Sequence, residues 1–287
     1  FAGYVGGAVL KLRGSDGFAE AIWLIAAAAF GGSIALIAQM YHLSGDEMTA
    51  ILTWSIGTGL AAALLRSGPL TVAGVAIALF WLVSQGFVFW SAVDFPYSYV
   101  LVAALFWALS YWTGSKVARH LILLSLILYV VLLGFDVDTI AVPLALAVGS
   151  AMVFAAGIAA PEPIERVVRL DGRLPIHGLI GFLVGMAIAQ AYLIDDVPSL
   201  ALCALVVFGG VAAAIVLAGR ESRGLRWLAY IGFTMQLCFV YVVMMGTMIG
   251  TAGLFLLSGL ALGVVAFLIT RIEKRMRSPE RPVGGAA

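Results

Sequence analysis

Polar side chains that could take part in chemistry are rare in this sequence, and the most compact group of them ends a long apolar stretch. Gln39 lies inside that stretch, at about residues 21–43, and His42 lies at its end, followed by Ser44 and Asp46. Gln39 and His42 are three residues apart, so they share one face of a helix. An amide and an imidazole at this spacing could line a small polar site. Alternatively, Gln39 hydrogen-bonds to a neighbouring helix and His42 lies in water.

Three more glutamines lie in apolar stretches further along the chain. If their amides and the first pair faced one cavity, they could bind a neutral or lipid-like solute through hydrogen bonds. The side chains of this candidate polar site are Gln39, His42, Gln85, Gln190 and Gln236.

The composition predicts that these side chains are positioned by transmembrane helices. The 287 residues are 63% hydrophobic and 11% charged, whereas soluble domains carry about 25% charged residues. In lipid the backbone must satisfy its own hydrogen bonds, which favours helices. We therefore predict an all-α, polytopic transmembrane helix bundle. The ten complete spans are predicted at about 21–43, 48–65, 70–90, 97–112, 118–135, 139–160, 176–194, 197–218, 225–245 and 248–270.

The first residues, Phe1–Leu10, resemble the end of an apolar segment that has been cut short. We interpret them as a partial N-terminal helix and expect further sequence upstream of it.

The charged residues divide between the two ends of these spans. All 16 Lys and Arg residues fall in the connections before the odd-numbered spans and in the tail. Short cytoplasmic loops carry the excess of Lys and Arg, so we predict that the basic loops and the C-terminus are cytoplasmic. The opposite side carries only acids, which are Asp46, Glu47, Asp94, Asp136, Asp138, Asp195 and Asp196.

A short repeat suggests that the chain has two halves. Ile37–Tyr41 reads IAQMY and Ile188–Tyr192 reads IAQAY, each near the outer end of an outward-running span. A parallel duplication would make Gln39 and Gln190 equivalent. The predicted divisions are a transmembrane half at 1–160, a cytoplasmic loop at 161–175, a second half at 176–271 and a basic tail at 272–287.

Glycine pairs four residues apart predict close contact between helices, within the bundle or between protomers. The pairs are Gly181 with Gly185, Gly246 with Gly250, and Gly259 with Gly263.

The usual motifs of enzymes and cofactor proteins are missing from the sequence. No acidic or basic residue lies in the middle of a span, where proton-coupled transporters usually place one. There is no phosphate-binding glycine loop, HExxH or GxSxG pattern. His120 and His177 lie beside arginines, where residence at the membrane surface accounts for them. We expect no catalytic residue, no cofactor and no metal site.

Two stretches resemble a known family. The run GGSIALIAQMYHLSGD at 31–46, with Trp54 and Arg66 after it and LRGSDGFAEAIWLIAAAAF before it, is similar to the bacterial predicted membrane proteins called domain of unknown function 2157. The last span, at 250–275, resembles the closing helix of long members. The resemblance implies a bacterial inner-membrane protein without an assigned activity, and it implies no catalytic residues.

Two functional hypotheses remain open. In the first, the protein is a non-enzymatic accessory or assembly subunit that packs against other membrane proteins or against itself. In the second, it is a transporter or channel for a neutral or lipid-like solute. Both place the chain among membrane lipids, and neither involves nucleic acid.

Overall fold

The computed structural model describes residues 1–41, 47–87, 95–218 and 222–248, together with single positions between 256 and 271. These residues form α-helices joined by short connections, without a strand among them. The helices are α1 (Ala2–Leu12), α2 (Asp16–Met40), α3 (Glu47–Leu65), α4 (Gly68–Phe87), α5 (Tyr99–Trp112), α6 (Lys116–Val137), α7 (Ala141–Ala159), α8 (Pro161–Val168), α9 (Leu174–Tyr192), α10 (Val197–Ala218) and α11 (Arg223–Met248).

Eight of the helices in this described part are long and apolar enough to cross a membrane. The predicted fold class, a polytopic helical bundle, is therefore confirmed. The eight are α2, α3, α4, α6, α7, α9, α10 and α11.

The remaining predicted spans differ in detail. The fourth, at about 97–112, forms the 14-residue helix α5, which is only about 21 Å long at 1.5 Å per residue. A turn after Pro96 delays its start, and Gly114 with φ of +69° follows its end. The tenth, at about 248–270, lies mostly outside the described residues.

The chain forms two compact units, Phe1–Gly232 and Phe233–Ala287. In the first unit, one apolar core lies between α4, α5 and α6, around Leu82, Tyr99 and Ile122. A second lies between α7, α9 and α10, around Phe182 and Val211. These cores join consecutive helices, as expected for spans connected by short loops.

The helix α1 packs on the first half of α2. The indole nitrogen of Trp23 donates a hydrogen bond of 3.0 Å to the carbonyl of Tyr4. A Cβ on Gly7 would meet Trp23, and one on Gly3 would lie 2.9 Å from Ala26. Gly3 is near the start of α1 and faces Ala26. The second half of α2 therefore extends beyond the N-terminal end of α1.

Contacts between charged connections gather at one end of the first unit. Glu20 accepts a hydrogen bond from Ser67 and lies 3.6 Å from Lys11. The guanidinium carbon of Arg66 lies 4.1 Å from the centre of the Trp112 ring. These contacts bring the connections before α2, α4 and α6 together, which are three of the connections in which the sequence concentrates its cations.

The connection before α9 joins the same end. Lys116 reaches Asp171 at 2.7 Å, and the hydroxyl of Tyr111 donates to the carbonyl of Val167. At the opposite end of the same helices, the Tyr192 hydroxyl donates to the carbonyl of Gly134 at 3.3 Å or to Asp138 at 3.2 Å. Basic and acidic connections therefore lie at opposite ends of α6 and α9.

Candidate functional site

The five predicted polar residues have different surroundings. Gln39 is exposed on α2, whereas Gln190 on α9 is only 1% exposed and is engaged in an interaction. Gln85 is half-buried on α4, and its side-chain oxygen is buried without a hydrogen-bond partner among the described residues. Gln236 belongs to the second unit. His42 lies outside the described residues.

The helices that carry Gln39 and Gln190 also have separate packing neighbours. The helix α2 packs against α1, α3 and α4, whereas α9 packs against α6, α7 and α10. The described part of the structure does not bring these two glutamines into one site. A solute path lined by all five polar residues stays a prediction.

Of the predicted glycine pairs, the one in α9 lies at a tight helix contact. A Cβ on Gly185 would lie 2.7 Å from backbone atoms of Ala147 and Pro143, and one on Gly181 would lie 2.2 Å from the hydroxyl of Ser150. Gly178, which the sequence reasoning did not single out, lies equally close to the backbone of Phe154.

The other glycine pairs are less informative. Gly259 and Gly263 are helical and have no described atom within 4 Å of a built Cβ. Gly246 is in α11, but the structure does not describe its surroundings. Gly250 lies outside the described residues.

The second half of α2 presents an exposed stripe of small residues that ends in an amide. Ala28, Gly32, Ala35 and Gln39 are all exposed and repeat at helical spacing, so they share one face. Apart from the backbone of α2 itself, no described atom lies within 4 Å of a Cβ built on Gly32. We call these four residues the α2 stripe.

The other side of α2 is held by α3. The indole nitrogen of Trp54 donates a hydrogen bond of 2.8 Å to the carbonyl of Ala27, and its ring covers Gly31. The contact of Trp54 with Ala27 and Gly31 fixes which face of α2 packs on α3. The α2 stripe is thus left on the outside of the first unit.

A histidine pair lies at the basic end of the first unit, where α6 and α9 begin. His120 Nδ1 is 3.3 Å from His177 Nε2, and the rings stack with their centres 5.0 Å apart. His177 Nδ1 lies 3.1 Å from the carbonyl oxygen of Arg173. A carbonyl only accepts, so His177 Nδ1 carries hydrogen and its Nε2 accepts from His120.

With His177 neutral, both of its ring nitrogens are engaged in these contacts, so neither can bind a metal. The sequence reasoning placed both histidines singly at the membrane surface and did not expect them to meet. They are 57 residues apart, and their only shared signal is a position near the start of a span on the basic side. No group of three metal-ligating side chains occurs within the described residues.

An ion pair fixes the connection beside these histidines. Lys116 donates to both oxygens of Asp171, at 2.7 and 2.8 Å. This hydrogen bond and the charge of Lys116 hold the pKa of Asp171 below its usual range. Glu165 accepts from the backbone amides of Asp171 and Gly172, which both have positive φ. These bonds set the path of the chain into α9.

The comparisons with known proteins bear on the N-terminal part of this structure. Residues 1–71 match the family described as Predicted membrane protein (DUF2157). The match confirms the family resemblance for this region, which comprises α1, α2, α3 and the first residues of α4. No curated protein and no solved structure matches the chain. The matched region includes the α2 stripe, and the family description assigns no activity to it.

Proposed function

We propose that this protein is a non-enzymatic accessory or assembly subunit of a bacterial inner-membrane complex, and that a transmembrane helix of another subunit packs on the α2 stripe. The observation that carries the proposal is the exposed polar end of an otherwise apolar face. Gln39 lies on the outside of a helix that is long and apolar enough to cross a membrane. On the side of this amide that faces lipid, no hydrogen-bond partner is available.

A partner helix would satisfy both parts of the stripe. Ala28, Gly32 and Ala35 permit a close backbone approach, which is the usual basis of helix association in lipid. The amide of Gln39 can then bond across the interface, a contact worth about 0.6–2 kcal/mol in membrane proteins. A complementary partner therefore presents small residues and one hydrogen-bonding side chain at the same depth.

We further propose that the basic end of the helices faces the cytoplasm. The support is the gathering of Lys11, Arg66 and Lys116 at one end of the first unit, with Asp138 at the other. The excess of basic residues marks the cytoplasmic side in inner-membrane proteins. Labelling of single cysteines in intact cells should modify an introduced Asp138→Cys and spare Lys116→Cys. The reverse pattern contradicts this orientation.

Site-specific photo-crosslinking in the native membrane tests the accessory role. A photo-reactive residue at Leu36 borders the α2 stripe, one turn from Gly32, whereas Ile37 points to the opposite side of α2 at a similar depth. Both are exposed, which makes Ile37 the matched control. We expect Leu36 to give a discrete adduct with a second membrane protein, and Ile37 to give none.

The substitution Gln39→Leu should reduce the yield of that adduct without reducing the amount of protein in the membrane. Three results would contradict the proposal: an adduct between two copies of this chain, a crosslink within one chain that leaves the mass near 30.2 kDa, or equal adducts from Leu36 and Ile37. An adduct between two copies indicates self-association. A crosslink within one chain indicates that another segment of the same protein covers the stripe. Equal adducts from both positions indicate random contact.

A further inference from the structure

One cation at the basic end of the first unit is buried without a counter-ion among the described residues. Arg119 lies in the first turn of α6 and is only 3% exposed. Its Nε atom is buried and has no hydrogen-bond partner among the described residues. Its guanidinium carbon lies 5.0 Å from the centre of the Tyr111 ring. An aromatic face attracts a cation, but it does not accept the directed hydrogen bonds that a guanidinium loses on leaving water.

The nearby acids of the described chain are already engaged. Both carboxylate oxygens of Asp171 accept from Lys116. The carboxylate of Glu165 accepts from the backbone amides of Asp171 and Gly172, at 2.6 and 2.9 Å. The three salt bridges formed by the described residues do not include Arg119. A buried cation of this kind is costly unless an anion reaches it.

A second guanidinium lies over the same ring. The guanidinium carbon of Arg169 is 5.6 Å from the centre of Tyr111. Arg169 is exposed and has a φ of +53°, a conformation that non-glycine residues seldom adopt. The hydroxyl of Tyr111 donates to the carbonyl of Val167, which holds the ring beside the segment that carries Arg169. Both guanidinium groups therefore lie close to one ring, and an anion beside that ring would offset the repulsion between them.

We propose that Arg119, Arg169 and Tyr111 form a binding site for a phosphate group. Guanidinium groups match the oxygens of phosphate with paired hydrogen bonds, and they do so better than a lysine ammonium. Arg119 lies in the first turn of a helix that can span the membrane, the depth at which phospholipid headgroups lie. The phosphate can belong to an anionic lipid headgroup or to a soluble phosphate, and the two sources are distinguished by experiment.

The test measures the midpoint temperature of unfolding (the thermal midpoint) of the full chain in a neutral detergent. It is measured without additive and with each of three probes. The probes are inorganic phosphate, phosphatidylglycerol and the zwitterionic phosphatidylcholine. We expect phosphatidylglycerol to raise the midpoint in a saturable way and phosphatidylcholine to raise it much less. A rise with inorganic phosphate as well identifies a site open to soluble phosphate. If neither inorganic phosphate nor phosphatidylglycerol raises the midpoint, the proposal is overturned.

Substitutions then locate the effect. Arg119→Gln should weaken binding about tenfold, because it removes charged hydrogen bonds worth about 1.5 kcal/mol. Arg119→Lys should restore only part of the affinity, since lysine lacks the planar fork. Arg226 is an exposed arginine in the first turn of α11, so Arg226→Gln is the matched control for the loss of one positive charge and should bind as the unaltered protein does.

The proposal also predicts the direction in which the substitution changes the thermal midpoint. Without a probe, Arg119→Gln should have a midpoint equal to or above that of the unaltered protein, because the substitution removes an unpaired buried charge. A purely structural arginine would lower the midpoint by the same amount in every condition, which would overturn the proposal. Equal loss of binding in Arg226→Gln would do so too, because it indicates general attraction between charges.

Internal anions need a separate control. Glu221, Glu273 and Glu280 are predicted on the basic side but lie outside the described residues, and Glu221 lies in a connection between helices, as Arg169 does. In a double-mutant cycle, Glu221→Gln should have the same effect with and without Arg119. If Glu221→Gln lowers the midpoint only when Arg119 is present, Glu221 is the counter-ion and the phosphate site does not exist.

Discussion

The helices α2 and α9 carry the same short motif but have opposite surroundings. The motif Ile-Ala-Gln-x-Tyr is near the end of each helix. In α9, 10 of 19 residues are buried, whereas in α2 only three of 25 are. Gln190 is buried and Tyr192 bonds to the end of α6, while Gln39 is exposed and Tyr41 is 70% exposed.

The difference shows that small and polar residues have no fixed role in a membrane helix. In α9 the glycines allow the backbone of α7 to approach, and Gln190 of the motif is buried. In α2 no described atom outside the helix's own backbone lies within 4 Å of a Cβ built on Gly32, and Gln39 is exposed. The neighbours of this face of α9 therefore belong to its own chain, whereas we propose that another chain covers the face of α2. Three predictions test this contrast, and a fourth tests the connection that leads into α9.

The largest effect is expected from adding a methyl group to one glycine of each helix. In Gly185→Ala the new Cβ would lie 2.7 Å from backbone atoms of α7, which cannot move aside as a flexible side chain can. We expect a loss of about 1–3 kcal/mol in the free energy of unfolding. Gly32→Ala should be neutral or stabilising by up to about 1 kcal/mol. Unfolding in detergent measures both, and equal losses would contradict the contrast.

Replacing the two glutamines tests the contrast at the motif itself. Gln190→Leu removes a buried amide that is engaged in an interaction, so we expect a loss of about 1–3 kcal/mol in the purified protein. Gln39→Leu should change the stability of the purified protein by less than about 0.5 kcal/mol. A large loss in Gln39→Leu would show that Gln39 has a partner in its own chain.

The tyrosines of the motif should differ less. Tyr192→Phe deletes the hydrogen bond that this hydroxyl donates to Gly134 or to Asp138 and should cost about 0.5–1 kcal/mol, since the hydroxyl is near water. Tyr41→Phe should have no measurable effect on unfolding. If both variants unfold alike, the link between α6 and α9 contributes nothing.

The smallest effect concerns the connection before α9. Lys116 holds the pKa of Asp171 below its usual range, so the ionised carboxylate stabilises the fold above the pKa of the unfolded chain. This stabilisation is lost as the pH falls through the lower pKa of the folded state. Lys116→Gln should therefore flatten the dependence of the thermal midpoint on pH in the acidic range. An unchanged profile would show that the exposed ion pair is fully screened.

Much of the fold was predictable because its determinants are local. Apolar length and the exclusion of charge predict a membrane helix at each stretch without knowledge of its neighbours. The start of α5 differs from the prediction by two residues, because the turn after Pro96 takes up Tyr97 and Ser98. The proposed phosphate site was less predictable from the sequence. The ring of Tyr111 and its two arginines come from three separate segments, and no spacing in the sequence relates them.

The sequence by itself determined that the chain is helical, that it belongs in a membrane, and that the residues 1–71 have a family counterpart. Only the tertiary structure decided which of two similar motifs is buried, that His120 meets His177, and that the described residues supply no partner to the buried Nε atom of Arg119. The physical reason is that hydropathy is a property of one helix, whereas burial and pairing depend on the helix beside it.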